Sequence, residues 1–153
     1  MKLILFFLLA TSRICEAQEA PKRATTIIIK DCTFRQAMNQ LLDQGYSIEK
    51  YDSVFKTIRT DLKDGEKEDG NVTALYKIFL DCRIKDSNLI VTGHLLPAVT
   101  MGAFKSNLNY NSNGSVIAVE NKGMKGSELK MSWIMMNKFA LSFKNSIEYV
   151  IPN

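Results

Sequence analysis

The chain is predicted to fold as an α+β domain in which one face of an antiparallel sheet is covered by two helices. Residues 72–85 and 89–96 each alternate apolar and polar side chains, and only a short polar turn separates the two runs. Such runs are typical of paired antiparallel strands with one buried face. Residues 34–43 and 126–147 instead repeat their apolar side chains every three or four positions, which is typical of amphipathic helices.

The first elements are a strand and a helix. Residues 25–30 form a β-branched run bounded by charged residues, which predicts a buried strand. Thr33 and Gln36 match a capping box, so we expect a helix to begin directly after Thr33. Gly45 predicts its end, because glycine adopts the left-handed turn that stops a helix without strain. The side chains expected on the buried face of this helix are Phe34, Ala37, Met38, Leu41 and Leu42.

The remaining elements complete a β-α-β-β-β-β-(β)-α order. Residues 46–51 and 54–61 are predicted as strands, and residues 64–71, rich in Asp, Glu and Gly, as a mobile hairpin tip with nothing to bury. Residues 98–121 favour an exposed loop that ends in a short strand at 116–120. The last helix opens at Gly126 and Ser127. Its apolar stripe is predicted to comprise Leu129, Trp133, Met136, Ala140, Phe143 and Ile147.

The N-terminus has the pattern of an export signal. Lys2 precedes an apolar run over residues 3–10, and a polar stretch then ends at Ala17. A signal peptidase recognises this arrangement, and the run is too short to span a bilayer. We therefore expect residues 1–17 to be a signal peptide, 18–24 a flexible leader and 25–151 a single domain that is periplasmic or secreted. Lipid attachment at Cys15, which would anchor the protein in the outer membrane, is the alternative.

The charge pattern argues against a nucleic-acid partner. Cleavage after Ala17 leaves 18 Lys and Arg against 15 Asp and Glu, and the charges are scattered without a run of five of one sign. Nucleic-acid tails concentrate their positive charges instead. The expected partners are an envelope protein or a second copy of the chain, and a membrane only through a lipid at Cys15.

The residue types needed for catalysis or metal binding are sparse. His94 is the single histidine, and neither an HxxxH nor a CxxC spacing occurs. Metal sites need several such ligands together, and no nucleophile motif such as GxSxG is found. We therefore predict no catalytic residue, metal or cofactor, and no enzyme activity. Cys32 and Cys82 remain after cleavage, and the sequence leaves open whether they form a disulfide or stay buried as free thiols.

The order of elements resembles the helix-grip or TBP-like domains of small exported Gram-negative envelope proteins of unknown function, including domains of the outer-membrane assembly lipoprotein BamC. The most specific local part is residues 34–59, where an amphipathic helix ends in Asp43-Gln44-Gly45-Tyr46 and a strand with Lys56-Thr57-Ile58-Arg59 follows. The resemblance covers the layout of residues 25–150. It implies a fold and an envelope location, and it carries over no catalytic residue.

The first functional hypothesis is an exported, non-enzymatic binding or assembly module of the bacterial cell envelope. The last helix has a second apolar set on the side opposite its main stripe, formed by Met131, Ile134 and Leu141. A helix with two apolar sides needs two partners. This set is a candidate protein interface, or it packs under residues 98–118 of the same chain.

The second hypothesis is a carrier of a small apolar ligand or lipid held between the last helix and the sheet. Four large apolar side chains are expected at that position and form the candidate pocket: Tyr76, Leu80, Trp133 and Phe143. The same side chains suit an ordinary core, so the sequence does not separate the two roles.

Overall fold

The computed structural model describes residues 19–66, 72–97 and 116–152, with the backbone alone for 72–75. These residues form an antiparallel sheet of eight strands and two helices. The predicted α+β class is confirmed. In chain order the elements are β1 (Thr26–Ile29), α1 (Phe34–Asp43), β2 (Ile48–Asp52), β3 (Thr57–Thr60), β4 (Lys63–Glu66), β5 (Val72–Lys85), β6 (Asn88–Leu96), β7 (Ile117–Ala118), α2 (Glu128–Leu141) and β8 (Ile147–Val150). The predicted signal peptide with Cys15, the hairpin tip at 67–71 and the loop at 98–115 lie outside the described residues.

The strands run in the order β2-β3-β5-β6-β1-β8 across the sheet. The 14-residue β5 is its longest strand, pairing with β6 on one side and with β3 and β4 on the other. Between β5 and β6 the chain reverses through Asp86 and Ser87, which have φ values of 50° and 59°. Two left-handed residues in succession match the natural twist of a hairpin, so the predicted antiparallel pair forms as expected.

Helix α1 has the predicted start and end. The Thr33 hydroxyl accepts the Gln36 amide N–H at 3.3 Å, and the Gln36 carboxamide accepts the Thr33 amide N–H at 2.9 Å. Gly45 has a φ of 73°, in the left-handed region that ends the helix. The predicted buried face is wrong at one position, because Leu42 is 54% exposed while Leu41 is fully buried.

Helix α2 is shorter than the periodicity predicted. It ends at Leu141, so Phe143 lies beyond it and Ile147 begins β8, which pairs with β1. The chain reverses at Lys144, with a φ of 58°, and the Asn145 side chain fixes the turn by donating to the Lys30 carbonyl oxygen at 2.7 Å. The four-residue step from Phe143 to Ile147 fits a helix and a turn-plus-strand equally well, which explains the error.

Strand β4 corrects the prediction of a mobile tip at residues 64–66. These residues pair with β5, and Gly65 is buried beneath the ring of Tyr76. The Tyr76 hydroxyl then donates to the carbonyl oxygen of Glu66 at 2.6 Å. An aromatic ring that covers a glycine on a neighbouring strand stabilises a segment whose own residues are poor strand formers. The predicted strand at 116–120 is also shorter, with only two residues in β7.

The core lies between one face of the sheet and the helices. A Cβ at Gly93 would lie 3.0 Å from both the sulfur of Met136 and the Cβ of Val119, so α2 sits directly on β6. The main buried side chains of the sheet are Ile27, Ile29, Ile58, Ile78, Leu80, Leu89, Val91 and Leu95, and those of the helices are Ala37, Leu41, Met131, Trp133, Met135, Met136, Phe139 and Ala140.

Residues 20–24 of the predicted leader contact the domain. The Asn121 side-chain amide donates to the carbonyl oxygens of Ala20 and Pro21 at 2.9 and 2.8 Å. Its carbonyl oxygen accepts the Lys130 ammonium at 2.6 Å, and Ala24 is fully buried. Asn121 therefore joins the leader, the residues after β7 and the first turns of α2 at one corner.

Candidate functional site

The four side chains predicted to line an apolar pocket belong to the hydrophobic core or pack against it. Tyr76, Leu80 and Trp133 are buried, and Phe143 is half-buried with its ring centre 5.2 Å from that of Phe139. They pack against neighbouring core residues. The structure thus gives all four predicted residues a place in or against the hydrophobic core.

A small cavity lies beside this region, between α2 and the residues around β4. It encloses about 60 Å³, with Tyr46, Lys63, Glu66, Met135 and Phe139 among its lining, and that volume admits only a few water molecules. Lys63 donates to the Gln44 carbonyl oxygen at 2.7 Å and lies 4.3 Å from the centre of the Tyr46 ring. Burial lowers the pKa of Lys63, which neighbouring Glu66 partly opposes.

The candidate interface on α2 is divided between core and surface. Met131 is buried, whereas Ile134 and Leu141 are 39% and 48% exposed. The two exposed residues are seven positions apart and lie on one side of the helix with the exposed Lys138. The three predicted residues therefore do not form one surface patch.

Cys32 and Cys82 are both buried and both free in the structure. Burial raises the pKa of the Cys32 thiol to about 11. Burial also raises the pKa of Cys82, and the neighbouring Asp81 and Cys32 add to that effect. A thiol kept protonated is a poor nucleophile, so the structure makes both cysteines small core residues with low reactivity.

The face of the sheet away from the helices carries a group of charged and polar side chains. Strand register aligns two rows of side chains across it. One row comprises Lys50, Arg59, Asp81, Thr92 and Thr26, and the other comprises Asp52, Thr57, Arg83, Ile90 and Ile28. We call this surface the open face, because none of the described helices packs on it.

A cleft of about 580 Å³ lies on the open face. It is lined by residues 50–52 of β2, 57–59 of β3, 81–83 of β5, and Ile90 and Thr92 of β6. The volume is in the range of ordinary ligand sites. Four strands are crossed at intervals of about 4.8 Å, so the cleft is about 14 Å long in that direction.

A rigid cluster borders the cleft. The guanidinium of Arg59 donates to both carboxylate oxygens of Asp81, at 2.6 and 2.8 Å, and His94 Nε2 lies 3.1 Å from the same carboxylate. The Phe79 ring stacks on His94 with centres 4.7 Å apart and lies 5.3 Å from the guanidinium carbon of Arg59. The hydrogen bonds to Asp81 raise the pKa of Arg59. Each member is thus held by two others, which fixes this border of the cleft.

Two of the cations that line the cleft have no ion-pair partner within the described part of the chain. Among residues 19–66, 72–97 and 116–152, neither Lys50 nor Arg83 is within ion-pair distance of a carboxylate. The carboxylate of Asp52 accepts the amide N–H groups of Val54 and Phe55 at 2.8 and 2.9 Å, so one of its oxygens is already bound. The hydrogen-bond donors that line the cleft therefore include the two cationic side chains of Lys50 and Arg83.

The β2–β3 hairpin ends in two exposed apolar residues. Val54 is 81% and Phe55 73% exposed. Behind them, Phe34 of α1 lies against Tyr51 with ring centres 6.5 Å apart, and the Lys56 ammonium lies 5.5 Å from the centre of the Phe34 ring. We call Val54 and Phe55 the hairpin tip. This turn between β2 and β3 is distinct from the predicted mobile tip at residues 64–71.

The chain matches no protein-family model and no curated protein sequence. Within the described residues no helix has the length and apolar character needed to cross a membrane. Those same residues contain no group of three or more His, Cys, Asp or Glu side chains placed to hold a metal ion.

Sequence reasoning missed the cleft and placed its candidate sites on the opposite face. The polar alternation of β5 indicates only a solvated surface, since cross-strand neighbours cannot be assigned before the register is known. The hairpin tip, a separate surface, does have a signal in the sequence, because the adjacent apolar residues Val54 and Phe55 stand among polar neighbours.

Proposed function

We propose that the chain is an exported, non-enzymatic binding module of the cell envelope that holds an acidic, extended segment of a partner protein in the cleft of its open face. The observation that carries the proposal is the pairing of an open cleft with two cations, Lys50 and Arg83, that have no ion pair among the described residues. Export rests on the N-terminal pattern, and the resemblance to BamC-type domains remains a prediction that agrees with it.

The chemistry of the cleft favours an extended segment with carboxylates. At about 3.3 Å per residue, a length of about 14 Å accommodates four residues of extended chain. Ile90 offers apolar contact at the floor, and the hydroxyls of Thr57 and Thr92 offer hydrogen bonds. Lys50 and Arg83 lie on different strands and rows, so they are placed to meet carboxylates at separate positions along the segment.

The carrier hypothesis gains no support from the described residues. Its candidate pocket is filled by Tyr76, Leu80 and Trp133, and the neighbouring cavity holds about 60 Å³. A small lipid or apolar ligand needs several times that volume.

The test uses two synthetic octapeptides, one of alternating Glu and Val and one of alternating Lys and Val, titrated into residues 18–153 and followed by amide chemical shifts in NMR. We expect the acidic peptide alone to shift the resonances of residues 57–59 and 81–83. Arg83→Glu should weaken the affinity for the acidic peptide at least about tenfold, because a repulsive charge replaces an attractive one.

The matched control is Lys122→Glu, which makes the same charge change on an exposed loop residue remote from the cleft. Its affinity for the acidic peptide should stay within about twofold of the wild type. Equal binding of both peptides, shifts that avoid the cleft, or equal effects of the two substitutions would each reject the proposal.

A further inference from the structure

We propose that the hairpin tip inserts into the headgroup region of an anionic lipid bilayer. This surface differs from the cleft, and the inference does not depend on an acidic protein segment binding there. Val54 and Phe55 are adjacent, are among the most exposed large apolar side chains of the described residues, and lie at the apex of a turn. Single exposed apolar residues are common, but two at one projecting apex form a wedge that water solvates poorly.

The turn presents this wedge in a fixed conformation. Asp52 Oδ1 accepts the amide N–H groups of both tip residues, and Lys56 closes the loop with a left-handed φ of 55°. The carbonyl oxygen of Lys56 accepts the amide N–H of Ile84 at 2.9 Å, which ties the loop to β5. The tip therefore loses little conformational freedom when it enters another phase.

The charged residues near the hairpin tip indicate which kind of surface it enters. Lys56 is in the loop itself. Lys85 follows Ile84, whose amide N–H donates to the Lys56 carbonyl oxygen, and Arg35 follows Phe34, whose ring contacts the Lys56 ammonium. None of these three cations forms an ion pair among the described residues. The carboxylates nearest to them in the chain are Asp52 for Lys56, Asp86 for Lys85 and Asp31 for Arg35, and that of Asp52 is bound to the turn amides.

An apolar wedge with an unpaired cation in its own loop and two more on neighbouring segments matches a surface with an apolar interior and anionic headgroups. A protein pocket would satisfy the wedge without requiring the cations. A second copy of this tip would bring like charges together. The bilayer is therefore the occupant that uses both features at once.

Cosedimentation with lipid vesicles tests the proposal on residues 18–153. We expect binding to vesicles of phosphatidylcholine and phosphatidylglycerol in equal amounts, and weaker binding to phosphatidylcholine alone. The double variant Val54→Ser/Phe55→Ser should bind the mixed vesicles at least about tenfold more weakly, because two apolar side chains no longer leave water. Lys56→Glu should reduce binding about fivefold or more, and added salt should reduce it further.

Met124→Ser is the matched control, since Met124 is 84% exposed and lies on a different loop. It should bind the mixed vesicles as the wild type does. Wild-type protein that stays in the supernatant, or a double variant that binds as tightly as Met124→Ser, overturns the proposal. Wild-type binding that is equal for both kinds of vesicle also overturns it.

Fluorescence gives a second readout that does not depend on total binding. Trp133 is buried, so a Phe55→Trp variant adds one solvent-exposed indole to a constant background. Its emission should shift to the blue with mixed vesicles, and that of Met124→Trp should not. A shift that occurs without vesicles and rises with protein concentration would assign the tip to a second copy of the chain and overturn the proposal.

Discussion

Replacing Gly65 by alanine should test the idea that the Tyr76 ring holds β4 in the sheet. A Cβ at this position would overlap the ring atoms of Tyr76, which is buried and donates to the Glu66 carbonyl oxygen at 2.6 Å. Overpacking of this kind costs about 1–3 kcal/mol. Displacing the ring also breaks the hydrogen bond, at about 1 kcal/mol. The lower entropy of an unfolded alanine offsets about 0.5–1 kcal/mol, so we expect a net loss of about 1–3.5 kcal/mol.

Urea unfolding followed by circular dichroism measures this loss, together with a decrease in Tm of roughly 10 °C for a domain of this size. The control is the same substitution in a Tyr76→Leu background, where a smaller, flexible side chain leaves room for the Cβ and the added cost should fall below about 0.5 kcal/mol. The reasoning is refuted by Gly65→Ala protein as stable as wild type, or by equal costs in the two backgrounds.

Four further predictions concern single groups. Ser132→Ala should raise the free energy of unfolding by up to about 1 kcal/mol, since the buried Ser132 hydroxyl has no hydrogen-bond partner among the described residues. Asn121→Ala should lower it by about 2–3 kcal/mol in the same urea assay, because Lys130 and two carbonyl oxygens lose their partner. Asp81→Asn should tighten binding of the acidic peptide about fivefold by releasing Arg59, whereas equal affinity would contradict the assigned role of the Asp81 carboxylate. The free energy of unfolding should fall above about pH 9 by up to about 1.4 kcal/mol per pH unit for each buried cysteine, because the unfolded thiols lose protons that the folded protein retains. For Cys32 this decrease should stop near pH 11, where the folded thiol also loses its proton. Urea titrations at several alkaline pH values check the slope, which Cys82→Ala should reduce.

Local pattern was sufficient for the elements whose signals lie within one segment. Alternation predicted β5 and β6, and the capping residues Thr33 and Gln36 placed the start of α1. The covered face was also predictable, because the apolar positions of β5 are the ones that become buried.

Contacts between distant segments decided the elements that were missed. Strand β4 has a sequence typical of a turn, and the Tyr76 ring is what makes it a strand. Ile147 of β8 continues the apolar spacing of α2, so the sequence does not distinguish a helix from a strand there. What makes the segment a strand is β1, which lies more than 100 residues earlier in the chain. The cleft depends on the register of four strands, which no local pattern contains.

The position of β1 between β6 and the edge strand β8 has a consequence for how the protein folds. This strand is the first of the sheet to be synthesised, and it is bordered by β6 and by the last strand, β8. Its pairing with β8 joins residues more than 100 positions apart in the chain, and pairings over such distances form slowly. Strand β1 therefore cannot be enclosed on both sides until these distant segments meet, and we expect its closure to be a late step of folding.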